Sequence, residues 1–262
     1  MAEKLKITSV GSGLTLVFIH GWGLNSAVWQ PTVEQLKQQN YQLIMIDLPG
    51  FGINAETTVT PYTIENVAQA VVQSIGQPAI YIGWSLGGLV ATEIASKYLD
   101  SCLGLISVAS SPLFRQSDDW PGIKSELLTG FHQQLADNIE KTIKGFLKIQ
   151  AMGSPHLRQD IKLLQSLIMQ HPLPSQEILD SSLSLLECVD LRNTLSDIQV
   201  PFLRLYGRLD SLVPNKIISL VNELSPASDV HIFDKASHAP FISHPEEFTQ
   251  VVNKWIKAKH NG

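Results

Sequence analysis

Short apolar runs alternate with segments of helical spacing along most of this chain. The apolar runs, rich in β-branched residues, are 14–19, 41–47, 79–83, 103–109, 201–207 and 229–234. The helical segments are 25–39, 63–76, 86–99, 214–224 and 245–258. Near-continuous apolar strands of this kind are typical of a parallel sheet covered by helices on both faces. We therefore predict an α/β fold with a doubly wound, mostly parallel sheet.

One long interval, from about 111 to 190, breaks this alternation. It has no convincing strand pattern and contains several amphipathic stretches. A structureless loop of that length is uncommon inside a compact domain, so a helical insertion after the fourth apolar run explains the interval better. We predict a core formed by residues 1–110 and 191–262, with a helical cap formed by residues 111–190.

Composition narrows the classes of function. The chain has 262 residues, 44% of them hydrophobic and 16% charged, with a formal net charge of −5. These values are typical of a soluble globular protein and argue against general affinity for nucleic acid or an anionic membrane. The N-terminal residues carry no signal-like apolar core, and the first apolar run is too short to span a membrane. We expect a cytoplasmic protein.

The two cysteines, Cys102 and Cys188, are far apart in the sequence and lack C-x-x-C spacing. Neither a disulfide framework nor a structural zinc site is indicated. We expect reduced, partly buried thiols and no metal ion.

A serine stands among glycines where the third apolar run meets a helical segment. The residues at 83–87 are G-W-S-L-G, which match G-x-S-x-G in the strand-to-helix setting of a nucleophile elbow. Side chains at Gly83 and Gly87 would collide across so sharp a turn. Ser85 is therefore the candidate nucleophile, next to a helix N-terminus that favours negative charge. An ordinary glycine-rich turn is the alternative interpretation.

A serine nucleophile needs a histidine base, which in this arrangement lies later in the chain. His238 lies just beyond the last apolar run, at the same sheet edge as Ser85. His231 lies inside that run, and His244 precedes a proline at a helix start, where a structural role is expected. The other histidines after the serine are expected on a solvated surface: His132, His156, His171 and His260.

The acid that orients the histidine is expected after the preceding strand. Asp210 follows the run 201–207 in a loop at the same edge. Asp47 comes before the serine in the chain, and Asp234 is only four residues from His238, on its own loop. We therefore predict the catalytic set Ser85, Asp210 and His238, although a turn or helix-capping aspartate is the alternative for Asp210.

The oxyanion hole needs two backbone N–H donors. Leu86 follows the nucleophile directly, and the sequence H-G-W-G at 20–23 follows the first apolar run. Its glycines allow that loop to approach the serine, which makes the N–H of Trp22 the second candidate donor. His20, at a strand end, is expected to be a hydrogen-bonded structural residue.

The motifs together resemble the α/β-hydrolase superfamily. They are H-G-W-G, D-L-P-G-F-G (47–52), G-W-S-L-G-G, L-Y-G-x-L-D (205–210) and H-A-P-F-I-S-H-P (238–245). Further motifs resemble the pimeloyl-acyl-carrier-protein methyl ester esterases of biotin synthesis: A-S-S-P (109–112), D-D-W-P-G-I-K (118–124), F-L-x-x-Q (146–150) and R-Q-D (158–160). At Ile53–Asn54 the chain departs from many relatives, which carry a basic residue and serine there.

The resemblance implies a serine carboxylesterase that needs no cofactor and hydrolyses the methyl ester of an acyl chain on an acyl carrier protein. It also implies a four-helix cap and the catalytic set given above. The implied substrate contacts are Trp22, Ser85, Leu86, Phe146, Leu147, Lys148, Ile149, Gln150 and His238. We expect a monomer.

The residues from 141 to 162 are basic in a chain that is acidic as a whole. Lys141, Lys144 and Lys148 recur at helical spacing, and Arg158 and Lys162 follow, against the one acid Asp160. A solvated helix face explains this pattern on charge alone. The family resemblance favours docking of the acidic carrier protein at Lys141, Lys144, Arg158 and Lys162.

Three alternatives stay open at this point. Another serine hydrolase of small esters, or a lyase of menaquinone synthesis on the same fold, would keep the catalytic residues and change the cap. A non-catalytic binding module on this fold is the third alternative.

Overall fold

The computed structural model describes residues 4–152, 154 and 156–260. In this part of the chain, seven strands form one sheet in the order β1-β3-β2-β4-β5-β6-β7. β1 pairs antiparallel with β3, and all other neighbours are parallel. The strands are β1 (Ile7–Gly11), β2 (Leu14–Ile19), β3 (Tyr41–Ile46), β4 (Ala79–Trp84), β5 (Cys102–Val108), β6 (Phe202–Gly207) and β7 (Asp229–Phe233).

Helices cover both faces of the sheet. β4 and β6 are buried at every position, so alternate side chains on both faces are removed from water. α3 packs on β4 and β5 beside α2, while α1 packs against α10. The helices are α1 (Gln30–Leu36), α2 (Ile64–Ile75), α3 (Leu86–Lys97), α4 (Ser125–Asp137), α5 (Ile139–Ala151), α6 (Leu157–Ile168), α7 (Gln176–Cys188), α8 (Ile217–Leu224), α9 (Pro240–Ser243) and α10 (Pro245–His260).

The predicted fold class is confirmed. The six predicted runs are β2 to β7, and the helices α4 to α7 lie between β5 and β6, where the helical insertion was predicted. The prediction missed β1, because this strand lies at the sheet edge with all five residues exposed and therefore lacks a buried apolar pattern. α8 begins at Ile217, a little later than the sequence pattern indicated.

Several loops meet at one edge of the sheet because their strands run parallel. β2, β4, β6 and β7 all point the same way, so the segments that follow their carboxyl ends lie along one edge. In open α/β sheets this edge is where ligands bind.

None of the described helices combines the length and apolar character that crossing a bilayer requires.

Neither cysteine forms a disulfide within the described residues. Cys102 is buried, which raises the pKa of its thiol to about 12. Cys188 is exposed, contrary to the partly buried site expected from the sequence.

Candidate active site

The turn that carries Ser85 has the backbone strain of a nucleophile elbow. Ser85 has φ 54° and ψ −116°, a backbone conformation that residues other than glycine rarely adopt. A Cβ added to Gly83 would lie 2.0 Å from the carbonyl oxygen of Gly87, as the sequence predicted. At Gly87 the obstacle differs from the prediction, because a Cβ there would lie 2.4 Å from the carbonyl oxygen of Ile19, at the end of β2.

We expect Gly83→Ala to lower the free energy of unfolding by about 2–4 kcal/mol, because the new methyl group meets backbone that cannot rotate away. Chemical denaturation would measure this loss. Gly130→Ala is a matched control, since nothing lies within 4 Å of a Cβ there. In that helical position alanine is expected to add about 0.5–1 kcal/mol. Equal stability of the two variants would contradict the role of Gly83.

The structure brings the three predicted catalytic side chains together. Nε2 of His238 lies 3.0 Å from Oγ of Ser85. Nδ1 of His238 lies 2.8 Å from Oδ2 of Asp210. The other carboxylate oxygen, Oδ1, accepts the N–H groups of Leu212 at 2.8 Å and Val213 at 3.0 Å. Asp210 is therefore both a turn aspartate and a partner of the histidine, with one oxygen in each role.

Two hydrogen bonds that the sequence did not reveal hold this arrangement. The indole Nε1 of Trp84 donates to the carbonyl oxygen of His238 at 2.7 Å and ties the histidine loop to β4. The Ser110 hydroxyl donates to the carbonyl oxygen of Ser85 at 2.9 Å and so holds the backbone of the elbow. Sequence reasoning missed both contacts because each joins residues that are distant in the chain.

The two predicted oxyanion donors belong to segments next to Ser85. A Cβ added to Gly21 would lie 3.3 Å from Cβ of Ser85, so the loop that contains Trp22 passes directly beside the serine. Leu86 is the first residue of α3. The first N–H groups of a helix have no acceptor within it, which leaves the N–H of Leu86 free of the helix ladder.

His20 is structural, as predicted. Its Nε2 accepts the N–H of Leu48 at 3.0 Å, and its Nδ1 lies 2.8 Å from the carbonyl oxygen of Gly21. This pattern requires a neutral ring protonated on Nδ1. Burial lowers the pKa of His20 below its ordinary value, although the nearby Asp47 carboxylate opposes that shift.

The loop where the chain departs from many relatives is held by its own polar contacts. Asp47 accepts N–H groups from Ser26 at 2.5 Å and Ile53 at 2.8 Å. Asn54 donates to the carbonyl oxygen of Asp47 at 2.8 Å and accepts the N–H of Lys6 at 2.8 Å. Asn54 thus links this loop to the start of β1, which gives the unusual residue a structural role.

The predicted substrate segment is the last turns of α5, and its residues face different ways. Phe146, Leu147 and Gln150 are buried, Ile149 is half-buried and Lys148 is exposed. The Phe146 ring meets the Trp22 ring edge to face, with centroids 4.8 Å apart. The Trp22 indole also donates to the carbonyl oxygen of Leu179 at 3.0 Å.

Gln150 lies next to the histidine loop with an unusual side chain. It is fully buried, and among the described residues neither Nε2 nor Oε1 has a hydrogen-bond partner. Its carbonyl oxygen accepts the backbone N–H of His238 at 3.2 Å. Burying an unpaired amide costs about 1–3 kcal/mol, so such a group in a native protein calls for an explanation.

The predicted docking residues are all exposed: Lys141, Lys144, Arg158 and Lys162. Lys144 forms an ion pair with Glu140 at 3.5 Å. Asp160, the acid among them, is buried and accepts the Ser154 hydroxyl at 2.5 Å. The surface of α5 and α6 therefore presents mainly positive charge.

Among the described residues, the other histidines and the acidic side chains define no second site. His244 is structural, since its carbonyl oxygen accepts the N–H of Phe248 in the first turn of α10. His156 is exposed, and the other three histidines predicted at the surface are half-buried: His132, His171 and His260. In the described part of the chain, no cluster of three or more histidine, cysteine or acidic side chains could bind a metal ion.

Comparison with known proteins assigns the chain to a family. A family model described as the alpha/beta hydrolase fold matches residues 15–245, so the chain belongs to the α/β-hydrolase family. An esterase from Exiguobacterium antarcticum superposes with a TM-score of 0.85 and 23% identity, covering 97% of this chain and 95% of that chain. A bromoperoxidase from Bacillus anthracis superposes with a TM-score of 0.84 and 20% identity, covering 96% and 94%. At these identities the structures show the fold alone.

Two relatives are similar enough to narrow the class. The chain is 46% identical over 243 residues to a pimeloyl-acyl-carrier-protein methyl ester esterase from Klebsiella pneumoniae (strain 342), covering 92% of this chain and 93% of the relative. It is 44% identical over 253 residues to the protein of the same name from Aeromonas salmonicida (strain A449), covering 97% and 99%. Within the α/β-hydrolase family, the chain therefore belongs to this group of carboxylic ester hydrolases.

Proposed function

We propose that this protein hydrolyses the methyl ester of pimeloyl-acyl carrier protein to pimeloyl-acyl carrier protein and methanol, a step of biotin synthesis. The observation that carries the proposal is the buried chain of hydrogen bonds from Ser85 through His238 to Asp210, on a strained elbow. The two relatives bearing this name support the choice of substrate.

The proposed mechanism passes through an acyl-enzyme. Nε2 of His238 accepts the hydroxyl proton of Ser85 while Oγ attacks the ester carbonyl carbon. The N–H groups of Trp22 and Leu86 stabilise the oxyanion, and Asp210 stabilises the imidazolium. The C–O bond to the leaving group breaks, and methanol departs with the proton from His238. Water, deprotonated by His238, then attacks the acyl-enzyme, releases the carboxylate and returns the proton to Ser85.

We propose that residues 111–190 act as a cap over the core formed by 1–110 and 191–262. Apolar cap side chains next to Trp22 are suited to a methylene chain, and Phe131 and Phe146 are among them. The unpartnered amide of Gln150 is suited to hydrogen-bond a polar atom of the substrate, which would recover the cost of its burial.

The carrier protein is proposed to dock on the basic surface of α5 and α6. An apolar groove between these helices supports this position: Ile143, Leu147 and Ile168 line it together with the ion pair of Lys144 and Glu140. Ile143 lies 3.8 Å from a Cβ added to Gly23, so the groove approaches the loop that carries Trp22. An acyl chain delivered by the docked carrier would have a short path to Ser85.

We expect reversal of Lys144, Arg158 and Lys162 to Glu to lower kcat/KM for the carrier-linked ester about tenfold or more at low salt. A small soluble ester should be hydrolysed at the original rate, because it needs no docking. The difference should shrink as salt rises, since the screening length falls from about 10 Å at 0.1 M to about 3 Å at 1 M.

A matched triple reversal tests whether charge alone is responsible. Lys97, Lys254 and Lys257 are exposed on α3 and α10, and their reversal to Glu changes the net charge equally. An equal loss in both triple variants would make the effect one of overall charge. An equal loss on both substrates in the cap variant would mean that the cap was damaged.

Hydrolysis of dicarboxylate monomethyl esters of graded length, free and carrier-linked, tests the proposed function. Mass spectrometry should show loss of the methyl group fastest for the carrier-linked pimeloyl ester, with Ser85→Ala as the blank. Fastest turnover of the shortest free esters would indicate a small-ester hydrolase. Turnover of no methyl ester would favour a lyase, and failure to react with a fluorophosphonate probe would favour a binding module.

A further inference from the structure

Ser237 connects the loop that carries His238 to the end of a cap helix. This loop, residues 234–239, is called the His238 loop below. Oγ of Ser237 lies 3.0 Å from the carbonyl oxygen of Gln150 and 2.6 Å from that of Met152, so the hydroxyl donates to the end of α5. The backbone N–H of His238 donates to the same Gln150 oxygen. Ser237 is almost fully buried, so water does not compete for these bonds.

The end of α5 receives hydrogen bonds from these donors. The last carbonyl groups of a helix lack partners within it. Here the N–H of Ser154 bonds to the carbonyl oxygen of Ala151, and the N–H of Met152 bonds to that of Ile149. Within the described residues, the Gln150 oxygen therefore receives its hydrogen bonds from the His238 loop alone.

The His238 loop, in contrast, is held by the core. Its carbonyl at His238 accepts the Trp84 indole N–H at 2.7 Å, and its carbonyl at Ala236 accepts the N–H of Leu209 at 2.9 Å. The imidazole itself is held by Asp210. Loss of the Ser237 hydroxyl would leave these contacts in place, so its effect should fall on α5 rather than on the imidazole.

We propose that Ser237 is a positioning residue that holds the last turn of α5, and with it the Gln150 side chain, against the catalytic histidine. Gln150 is the group through which it acts. The inference rests on the proposed function to the extent that Gln150 contacts the substrate. Ser237 itself touches neither the substrate nor the reacting atoms.

The test compares two substrates in Ser237→Ala. We expect kcat/KM for the carrier-linked pimeloyl methyl ester to fall about three- to tenfold, the range of one net hydrogen bond. p-Nitrophenyl acetate carries only a two-carbon acyl chain, and its turnover should stay within about twofold of the original, because the Asp210 and Trp84 contacts that hold His238 remain. In a Gln150→Ala background, Ser237→Ala should have little further effect on the long ester, because coupled residues are not additive.

Ser243→Ala is the matched control. Its hydroxyl, half-buried shortly after His238, lies 3.3 Å from the carbonyl oxygen of Ala239 and makes no bond to α5. Ser243→Ala should leave the turnover of both substrates unchanged. Additive losses in the double variant, or equal losses on both esters, would overturn the proposal.

A failure of the proposed function would be recognised separately, in the unsubstituted protein. The unsubstituted protein would then cleave p-nitrophenyl acetate and leave the pimeloyl methyl ester intact. In that case the longest p-nitrophenyl acyl ester that the protein hydrolyses replaces the methyl ester in the comparison of Ser237→Ala with Ser243→Ala. Equal turnover by these two variants would then overturn the role of Ser237.

Discussion

Ser85→Ala is expected to lower kcat for ester hydrolysis about 10⁴-fold or more while the protein stays folded. The substitution removes only Oγ, the atom that lies 3.0 Å from Nε2 of His238. The hydrogen bonds to the backbone of the elbow remain, including the one that the Ser110 hydroxyl donates to the carbonyl oxygen of residue 85. Alanine also tolerates positive φ in this chain, since Ala109 has φ 44°.

Stopped assays with a chromogenic ester and thermal unfolding would measure the two parts of this prediction. The melting temperature should change little, because the hydrogen bond that is lost, between Oγ and Nε2 of His238, contributes only about 0.5–1.5 kcal/mol. Labelling by a fluorophosphonate probe should disappear together with turnover. Turnover near that of the original protein would show that Ser85 is not the nucleophile. A large fall in the melting temperature would mean that the loss of activity comes from unfolding and not from the loss of the nucleophile.

The fold and the candidate catalytic set could both be predicted from the sequence because both follow from local patterns. Parallel strands bring the segments after their carboxyl ends to one edge, so Ser85, Asp210 and His238 could be chosen by their positions after β4, β6 and β7. The structure brings these side chains to hydrogen-bonding distance. β1 could not be predicted, because its side chains are exposed and show no periodic apolar pattern.

The supporting contacts could not be predicted for a different reason. The Trp84 indole reaches a residue 154 positions away, and the Ser237 hydroxyl reaches Gln150 across 87 positions. No local pattern encodes such a pair, because the same side chains would be equally acceptable as packing or as surface. Lys148 is a different case, because the family resemblance implies a substrate contact there and its position on α5 leaves the side chain exposed.

Asp210→Asn is expected to reduce kcat about 10⁴-fold, although it changes a single atom. Oδ1 of Asp210 accepts two backbone N–H groups, from Leu212 and Val213, so the amide oxygen of asparagine must occupy that position. Its NH₂ group then faces Nδ1 of His238, where the carboxylate oxygen Oδ2 now lies at 2.8 Å. Nδ1 becomes the acceptor, and the ring proton moves to Nε2, which can no longer take the proton of Ser85.

The matched control is Asp234→Asn, four residues before the same histidine. Its side chain is 75% exposed and bonds Nε of Arg208 at 2.7 Å, away from the imidazole. This variant should keep nearly full activity, and both variants should unfold near the temperature of the original protein. If Asp210→Asn kept activity within about tenfold, its carboxylate would be only a turn residue, because a fixed wrong tautomer typically costs orders of magnitude more. Loss in Asp234→Asn instead would move the acid to the histidine's own loop.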